Sequence, residues 1–308
     1  MHLSSALARR QFMARFCVSI SLLAGATQSV AAEQALAVTT SFSILGDWVQ
    51  IVGGNRVAVT TLVGADQDAH VFEPKPTDAK AIQKSQLLVL NGIGFEPWAQ
   101  KLAKAANFKG TTLVASKGVQ AMQTDHGKGG SHQHHDSDPH AWQNPRNVVI
   151  YINNIASALS TLDPAGANTY QNNAQAYNKE LEILDNWAQT QFANIAPEKR
   201  KVITSHDAFG YFAQRYSIRF MTAQGTSTAA EPSAKQIARL VQQIKREKIK
   251  TVFVENMSNP KLMEQLSKDA GATVGASLYA DALSSEPQGA SYLQMMRHNI
   301  KQMAASMQ

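Results

Sequence analysis

The chain has 308 residues, 44% of them hydrophobic and 17% charged, with nine histidines and a single cysteine. That length suggests two domains of about 100–200 residues, each able to bury a core without disulfides. The formal charge of +6 hints at a nucleic-acid partner, but Arg9, Arg10 and Arg15 sit in a segment that reads as removable, and without them the charge is only +3. No nucleic-acid role is expected.

Residues 1–32 read as an export signal. The three arginines form its positive end, and an apolar run over residues 16–25 follows, too short for a span that needs about 20 residues. Val30-Ala31-Ala32 supplies small residues for cleavage before Glu33. Arg9-Arg10-Gln11-Phe12-Met13 also resembles a twin-arginine export motif, with ordinary unfolded-chain export as the alternative. Cys17 lies inside the apolar run and far from the cleavage point, so it is not read as a lipid-attachment residue, and no stable membrane anchor is expected. A thiol-free mature chain must bind metal through His and carboxylate, which suits an oxidising compartment such as the periplasm.

The mature part opens with a buried strand over residues 36–42, rich in β-branched residues, and an amphipathic helix over 44–51 that Gly53-Gly54 ends. A strand at 56–63, a helix at 76–84, a strand at 86–91, a helix at 97–106 and a strand at 111–115 follow. A polar loop of about residues 123–138 interrupts the alternation; it holds His126, His132, His134 and His135 among Gly, Ser, Asp and Gln. That composition makes no helix or strand face, but it is one that binds metal. Apolar spacing then predicts a helix over 147–162. Asp163-Pro164 breaks it, and a helix over 165–195 would run about 45 Å at 1.5 Å per residue, unless it divides in two.

The alternation resumes with strands at 201–205, 218–221, 251–254 and 273–278. Helices at 208–216, 233–247, 260–270 and 291–307 separate or follow them. Strands alternating with helices predict an α/β fold in two lobes, each a mainly parallel sheet flanked by helices. The expected organisation is a signal at 1–32, one lobe at 33–162, a linking helix at 163–196 and a second lobe at 197–308.

Four residues with metal-binding chemistry fall at or after strand ends: His70, His140, His206 and Asp281. In open α/β sheets ligands bind beyond the carboxyl ends of the strands, which would place a site between the lobes. Three imidazoles and a carboxylate suit tetrahedral Zn²⁺, whereas Mn²⁺ prefers more oxygen donors. Glu255 and Glu231 are candidates to fix the tautomer of a ligating histidine, with capping or a surface ion pair as the other reading of each. Trp142 and Phe72 are expected to pack around the site and keep it dry. The four loop histidines form an expected accessory site that captures or senses metal, or binds it incidentally.

The words around these residues carry a resemblance. His70-Val-Phe-Glu-Pro-Lys-Pro-Thr-Asp78, Asp138-Pro-His-Ala-Trp142 and Ser205-His-Asp-Ala-Phe-Gly-Tyr211 resemble segments of the periplasmic metal-binding subunits of zinc and manganese ABC importers. So do Glu231-Pro-Ser-Ala-Lys-Gln-Ile237, Val254-Glu-Asn-Met-Ser-Asn-Pro260 and Tyr279-Ala-Asp-Ala-Leu283, in family order from about Leu36 to the C-terminus. The resemblance implies two lobes joined by one long rigid helix, with metal held in the cleft by His70, His140, His206 and Asp281. His206 stands where the manganese branch typically has Glu, and a His-rich insertion is typical of the zinc branch. One departure is Ala69, where some zinc-binding relatives have an acidic residue, which leaves water as the alternative to Asp281.

The expected function is therefore a monomeric zinc-binding protein that serves a membrane permease of an ABC importer, with a periplasmic metallochaperone as a further partner that could load it. A manganese-binding member of the same family is the near alternative. A secreted zinc hydrolase is the distant one, disfavoured by four protein ligands, no evident general base and no His-Glu-x-x-His.

Overall fold

The computed structural model describes residues 35–124 and 137–308. In the first half, β1 (Leu36–Phe42), β2 (Val57–Val63), β3 (Leu87–Leu90) and β4 (Thr111–Val114) form a parallel sheet in the order β2-β1-β3-β4. Val38 faces Val59 on one side and Leu87 on the other. The two central strands are almost wholly buried, as a parallel sheet covered on both faces requires. Helices α1 (Ser43–Gly53), α2 (Pro76–Lys84) and α3 (Pro97–Ala105) connect the strands. Proline opens both α2 and α3, where its missing N–H costs no helical bond. At the end of α1, Gly54 takes φ 57°, a conformation glycine adopts without strain.

Two long helices follow. α4 (Pro145–Leu162) begins two residues before the apolar spacing starts, because the Asn144 side chain caps it by accepting the Arg146 N–H (3.0 Å) and Pro145 occupies the first turn. A short turn at Pro164–Gly166 leads into α5 (Ala167–Ala193), an unbroken helix of 27 residues. The Asp163 carboxylate holds that corner, pairing with Arg56 at 2.7 Å and accepting the Gly166 N–H at 3.2 Å.

The second half has β5 (Lys201–Thr204), α6 (Gly210–Tyr216), β6 (Arg219–Thr222), α7 (Ala234–Glu247), β7 (Thr251–Val252), α8 (Lys261–Ala270), β8 (Thr273–Val274) and α9 (Tyr292–Ser306). β5 pairs with β6 and β7 with β8, all parallel, and the Phe253 N–H bonds the Ile203 carbonyl (2.8 Å) to join the pairs. The two pairs remain separate two-stranded sheets, set side by side by this bond. The last two strands are shorter than expected. Beyond Gly275, where a Cβ would meet the Phe253 ring at 2.7 Å, the ladder opens and resumes only as the bridge between Glu255 and Leu278.

The two lobes share a core. The largest apolar cluster runs from β1 and α1 through α4 and α5 to α9, and takes in Val202, Phe209, Phe212 and Phe253 of the second half. Each lobe also has a cluster of its own on the outer side, Leu62, Ile82 and Leu88 in one and Ile203, Leu240 and Met263 in the other.

Candidate metal centre

His70 and His206 follow strands β2 and β5, while His140 and Asp281 follow the isolated bridges at Ser137 and Leu278. His70 lies on the loop after β2; the Asp68 carboxylate accepts its backbone N–H at 2.9 Å, and the Trp98 indole donates to the Ala69 carbonyl at 2.8 Å. His140 follows the Gln123–Ser137 bridge that closes the base of the His-rich loop. Its backbone N–H and Nδ1 both face the Asp138 Oδ1, at 2.9 and 2.7 Å, and the Asn91 amide donates to the Pro139 carbonyl at 3.0 Å. His206 stands two residues past β5, with its N–H on Glu255 Oε1 (3.1 Å) and its Nδ1 against Glu255 Oε2. Asp281 follows Ala280, whose carbonyl accepts from the Trp142 indole and the Gln143 amide, each at 2.9 Å.

The four side chains meet. One ligand atom from each of His70, His140, His206 and Asp281 lies within 4.8 Å of all the others. Asp281 Oδ2 is 3.2 Å from His70 Nε2 and 3.1 Å from His206 Nε2, while Oδ1 is 3.6 Å from His140 Nε2. His140, His206 and Asp281 are fully buried. Apart from these ion-pair approaches, His206 Nε2 and both Asp281 oxygens make no well-formed hydrogen bond. Buried polar atoms without partners are rare and costly, so this arrangement fits a bound cation. A carboxylate on Nδ1 fixes that nitrogen as the protonated one and leaves the Nε2 lone pair facing the pocket. His140 and His206 have such a carboxylate.

The metal-free electrostatics follow from this crowding. Burial alone would push the His140 imidazole down, but the Asp281 and Asp138 carboxylates outweigh it and hold it up at about 9. His206 is likewise desolvated, and Glu255 with Asp281 keeps it well above the usual imidazole range. Burial works against ionising Asp281, but His206 and His140 beside it hold it well below the usual carboxylate range.

Residues 38–306 match the family described as ZnuA, zinc-uptake complex component A, periplasmic. The chain belongs to the ZnuA family. As a member it is a metal-binding substrate-binding protein of an ABC importer. The manganese-binding lipoprotein MntA of Halalkalibacterium halodurans is 33% identical over 268 residues, covering 87% of each chain. The manganese ABC transporter substrate-binding lipoprotein PsaA of Streptococcus pneumoniae is 33% identical over 285 residues, or 90% of this chain and 91% of its own. Among solved structures, the periplasmic zinc binding protein TroA from Treponema pallidum superposes with a TM-score of 0.81 at 24% identity, covering 89% of this chain and 99% of its own. The Mn-bound periplasmic metal binding protein from Candidatus Liberibacter asiaticus gives 0.78 at 28% identity, with 89% and 100% covered. Both share the two-lobe ZnuA-type architecture seen here.

The surroundings differ from expectation in places. Glu255 does bond His206, but Glu231 is exposed before α7 and, among the described residues, makes no hydrogen bond to an imidazole. The second such carboxylate is Asp138. Its signal was present as a repeated spacing: Asp68-Ala-His70 and Asp138-Pro-His140 both put an Asp two residues before the histidine, where its oxygen accepts the His N–H. Trp142 packs edge-on to His140 at 5.2 Å between ring centres. Phe95, not Phe72, lies against His70 (4.8 Å); Phe72 covers Trp98 instead. His126, His132, His134 and His135 lie outside the described residues, as do His2 and Cys17. His298 is away from the pocket, bonded to the Ser277 carbonyl.

Proposed function

We propose that this protein captures Zn²⁺ outside the cytoplasm, holds it with His70, His140, His206 and Asp281, and delivers it to the membrane permease of an ABC importer. The observation that carries this reading is the cluster of three imidazole Nε2 atoms converging on one buried carboxylate, one ligand atom from each residue within 4.8 Å of all the others. Three nitrogens and one carboxylate oxygen suit tetrahedral zinc, while manganese favours more oxygen ligands. The manganese reading has support of its own, because MntA and PsaA are named for manganese. Competitive titration of the mature protein separates the two. Zinc should displace manganese, and His206→Ala should weaken zinc binding by about 100-fold or more, as loss of a direct ligand exceeds the 10–100-fold typical of a supporting residue. Tight manganese binding in preference to zinc would overturn the choice of metal and leave the fold as it is.

In this reading residues 33–162 and 197–308 are the two lobes, 163–196 is the linking helix, and the protein acts as a periplasmic monomer after removal of 1–32. Among the described residues no helix is long and apolar enough to cross a membrane. MntA and PsaA are named as lipoproteins; mass analysis of the exported protein would show whether this chain carries a lipid. His126, His132, His134 and His135 act as an accessory site that collects zinc for the four-ligand one. A periplasmic metallochaperone is a further candidate to load the site. The chain is not an enzyme in this reading; chelator-sensitive turnover of an ester or peptide would argue for the hydrolase instead.

A further inference from the structure

Asp66 is none of the four candidate ligands, yet it sits on the loop that carries His70 and bonds two other segments beside the site. It sits on the loop after β2, four residues before His70, at φ 58°, a left-handed conformation that Asp tolerates better than most side chains. That conformation aims its N–H at the Leu283 carbonyl, at 2.8 Å. Its carboxylate accepts from Asn256 Nδ2 (2.8 Å), Ser284 Oγ (3.1 Å), the Ser285 N–H (3.2 Å) and Ser285 Oγ (3.4 Å). Asn256 directly follows Glu255, the carboxylate behind His206, and residues 283–285 directly follow the Asp281 segment.

These ties are not equivalent. The Asp281 segment is anchored to the first half in other ways, through the Leu283 N–H on Ser43 Oγ (2.9 Å) and through Trp142 and Gln143 on the Ala280 carbonyl. The turn at 255–258 reaches the first half less directly: Asn256 Nδ2 also lies 3.4 and 3.3 Å from the Ala282 and Leu283 carbonyls, at longer range than its bond to Asp66. Among the described residues its hydrogen bond to the first half is the one from Asn256 to Asp66. Two residues further along the loop, Asp68 accepts the Thr228 hydroxyl at 2.7 Å, a parallel tie from the same loop to the second lobe.

We propose that Asp66 is a positioning residue that ties the His206–Glu255 side of the pocket to the loop carrying His70, and so keeps the four-ligand site closed on its metal. The inference rests on the metal-binding reading above. Ligands held in place beforehand need less ordering on capture, and differences in affinity between related sites appear mainly in the rate of release.

The test uses the mature full chain loaded with Zn²⁺ and mixed rapidly with excess chelator. Asp66→Asn keeps the shape and one acceptor oxygen. Asp66→Gly keeps the left-handed backbone and removes every side-chain bond. Zinc release should speed up about tenfold in Asp66→Gly and less in Asp66→Asn, with the metal-free melting temperature within a few degrees of wild type. Wild-type release from both variants, with or without a lowered melting temperature, would overturn the proposal. Wild-type protein that takes up no zinc would instead remove the metal reading itself, so the two failures are distinguishable.

Discussion

At the scale of single residues, the chemistry turns on Asp281, a buried carboxylate facing three imidazoles. Glu255 and Asp138 act through His206 and His140, fixing which nitrogen faces the metal. Glu255→Gln and Asp138→Asn should each lower zinc affinity about 10–100-fold, with the fold retained by circular dichroism. Protons compete with the metal. His140, raised from 6.5 to about 9, and His206, raised in the same direction, favour the folded metal-free chain most fully below the ordinary imidazole value. That contribution fades as pH rises through about 9 for His140. Asp281 runs the other way, contributing above its ordinary value of 3.8 and losing it as pH falls through its depressed one. Zinc binding at pH 7.5 should therefore release about two protons, and affinity should fall as the solution is acidified from about pH 9 downward, well above the ordinary imidazole value. Calorimetry in buffers of different ionisation enthalpy measures the proton count; a value near zero would contradict the protonated pair.

At the scale of elements, the site depends on turns and helix packing that no ligand motif describes. The turn between β3 and α3 has positive φ at Gly92, Ile93 and Gly94, an uncommon conformation for a β-branched residue. The buried Glu96 holds it by accepting from Ser41 Oγ (2.8 Å) and from the N–H groups of Asn91 (2.5 Å) and Gly92 (3.2 Å). This sets Phe95 against His70. Burial outweighs those hydrogen bonds and pushes the Glu96 carboxyl from 4.5 up to about 7. The folded chain thus holds a proton that the unfolded chain gives up, and this stabilisation is lost as pH rises through about 7. Glu96→Gln should flatten that fall in melting temperature between about pH 5 and 7.5. Further away, Asp185 on α5 accepts from Arg146 on α4 (3.0 Å) and from Arg215 Nε (2.8 Å) and Tyr216 (3.0 Å) on α6. Arg146 is mostly exposed, so the network counts for less than a fully buried one. Asp185→Ala should cost about 2 kcal/mol in urea unfolding and leave zinc affinity unchanged.

At the scale of the whole molecule, binding a ligand shared by both lobes stabilises everything that carries it. Free zinc at 1,000 times its dissociation constant should add about 4 kcal/mol to unfolding, seen as a raised melting temperature that a chelator reverses and His206→Ala lacks. Removing residues 126–136 should leave one zinc per chain at the specific site and slow its loading. Unchanged loading would reduce the His-rich loop to incidental metal affinity.

The order and type of the elements were legible in the sequence because each signal is local: β-branched runs for β1 and β3, apolar spacing for α4, prolines at helix starts. The ligands were legible too, since His and Asp just beyond strand ends are few, and the words around them match a family. What local pattern could not supply was which carboxylate stands behind which imidazole. Glu255 and His206 are 49 residues apart and meet because the Phe253 N–H bonds the Ile203 carbonyl and brings the segments after β5 and β7 side by side. Glu231 was as suitable by residue type, but it is exposed in the segment before α7, where it lines a cavity with Asp68 and Ser205. By itself the sequence determined the elements, the family and the four residues that converge. Only the tertiary structure decided that their ligand atoms share one buried pocket, because that depends on where the sheets and the long α5 helix bring chain segments up to about 200 residues apart, a separation local sequence patterns do not encode.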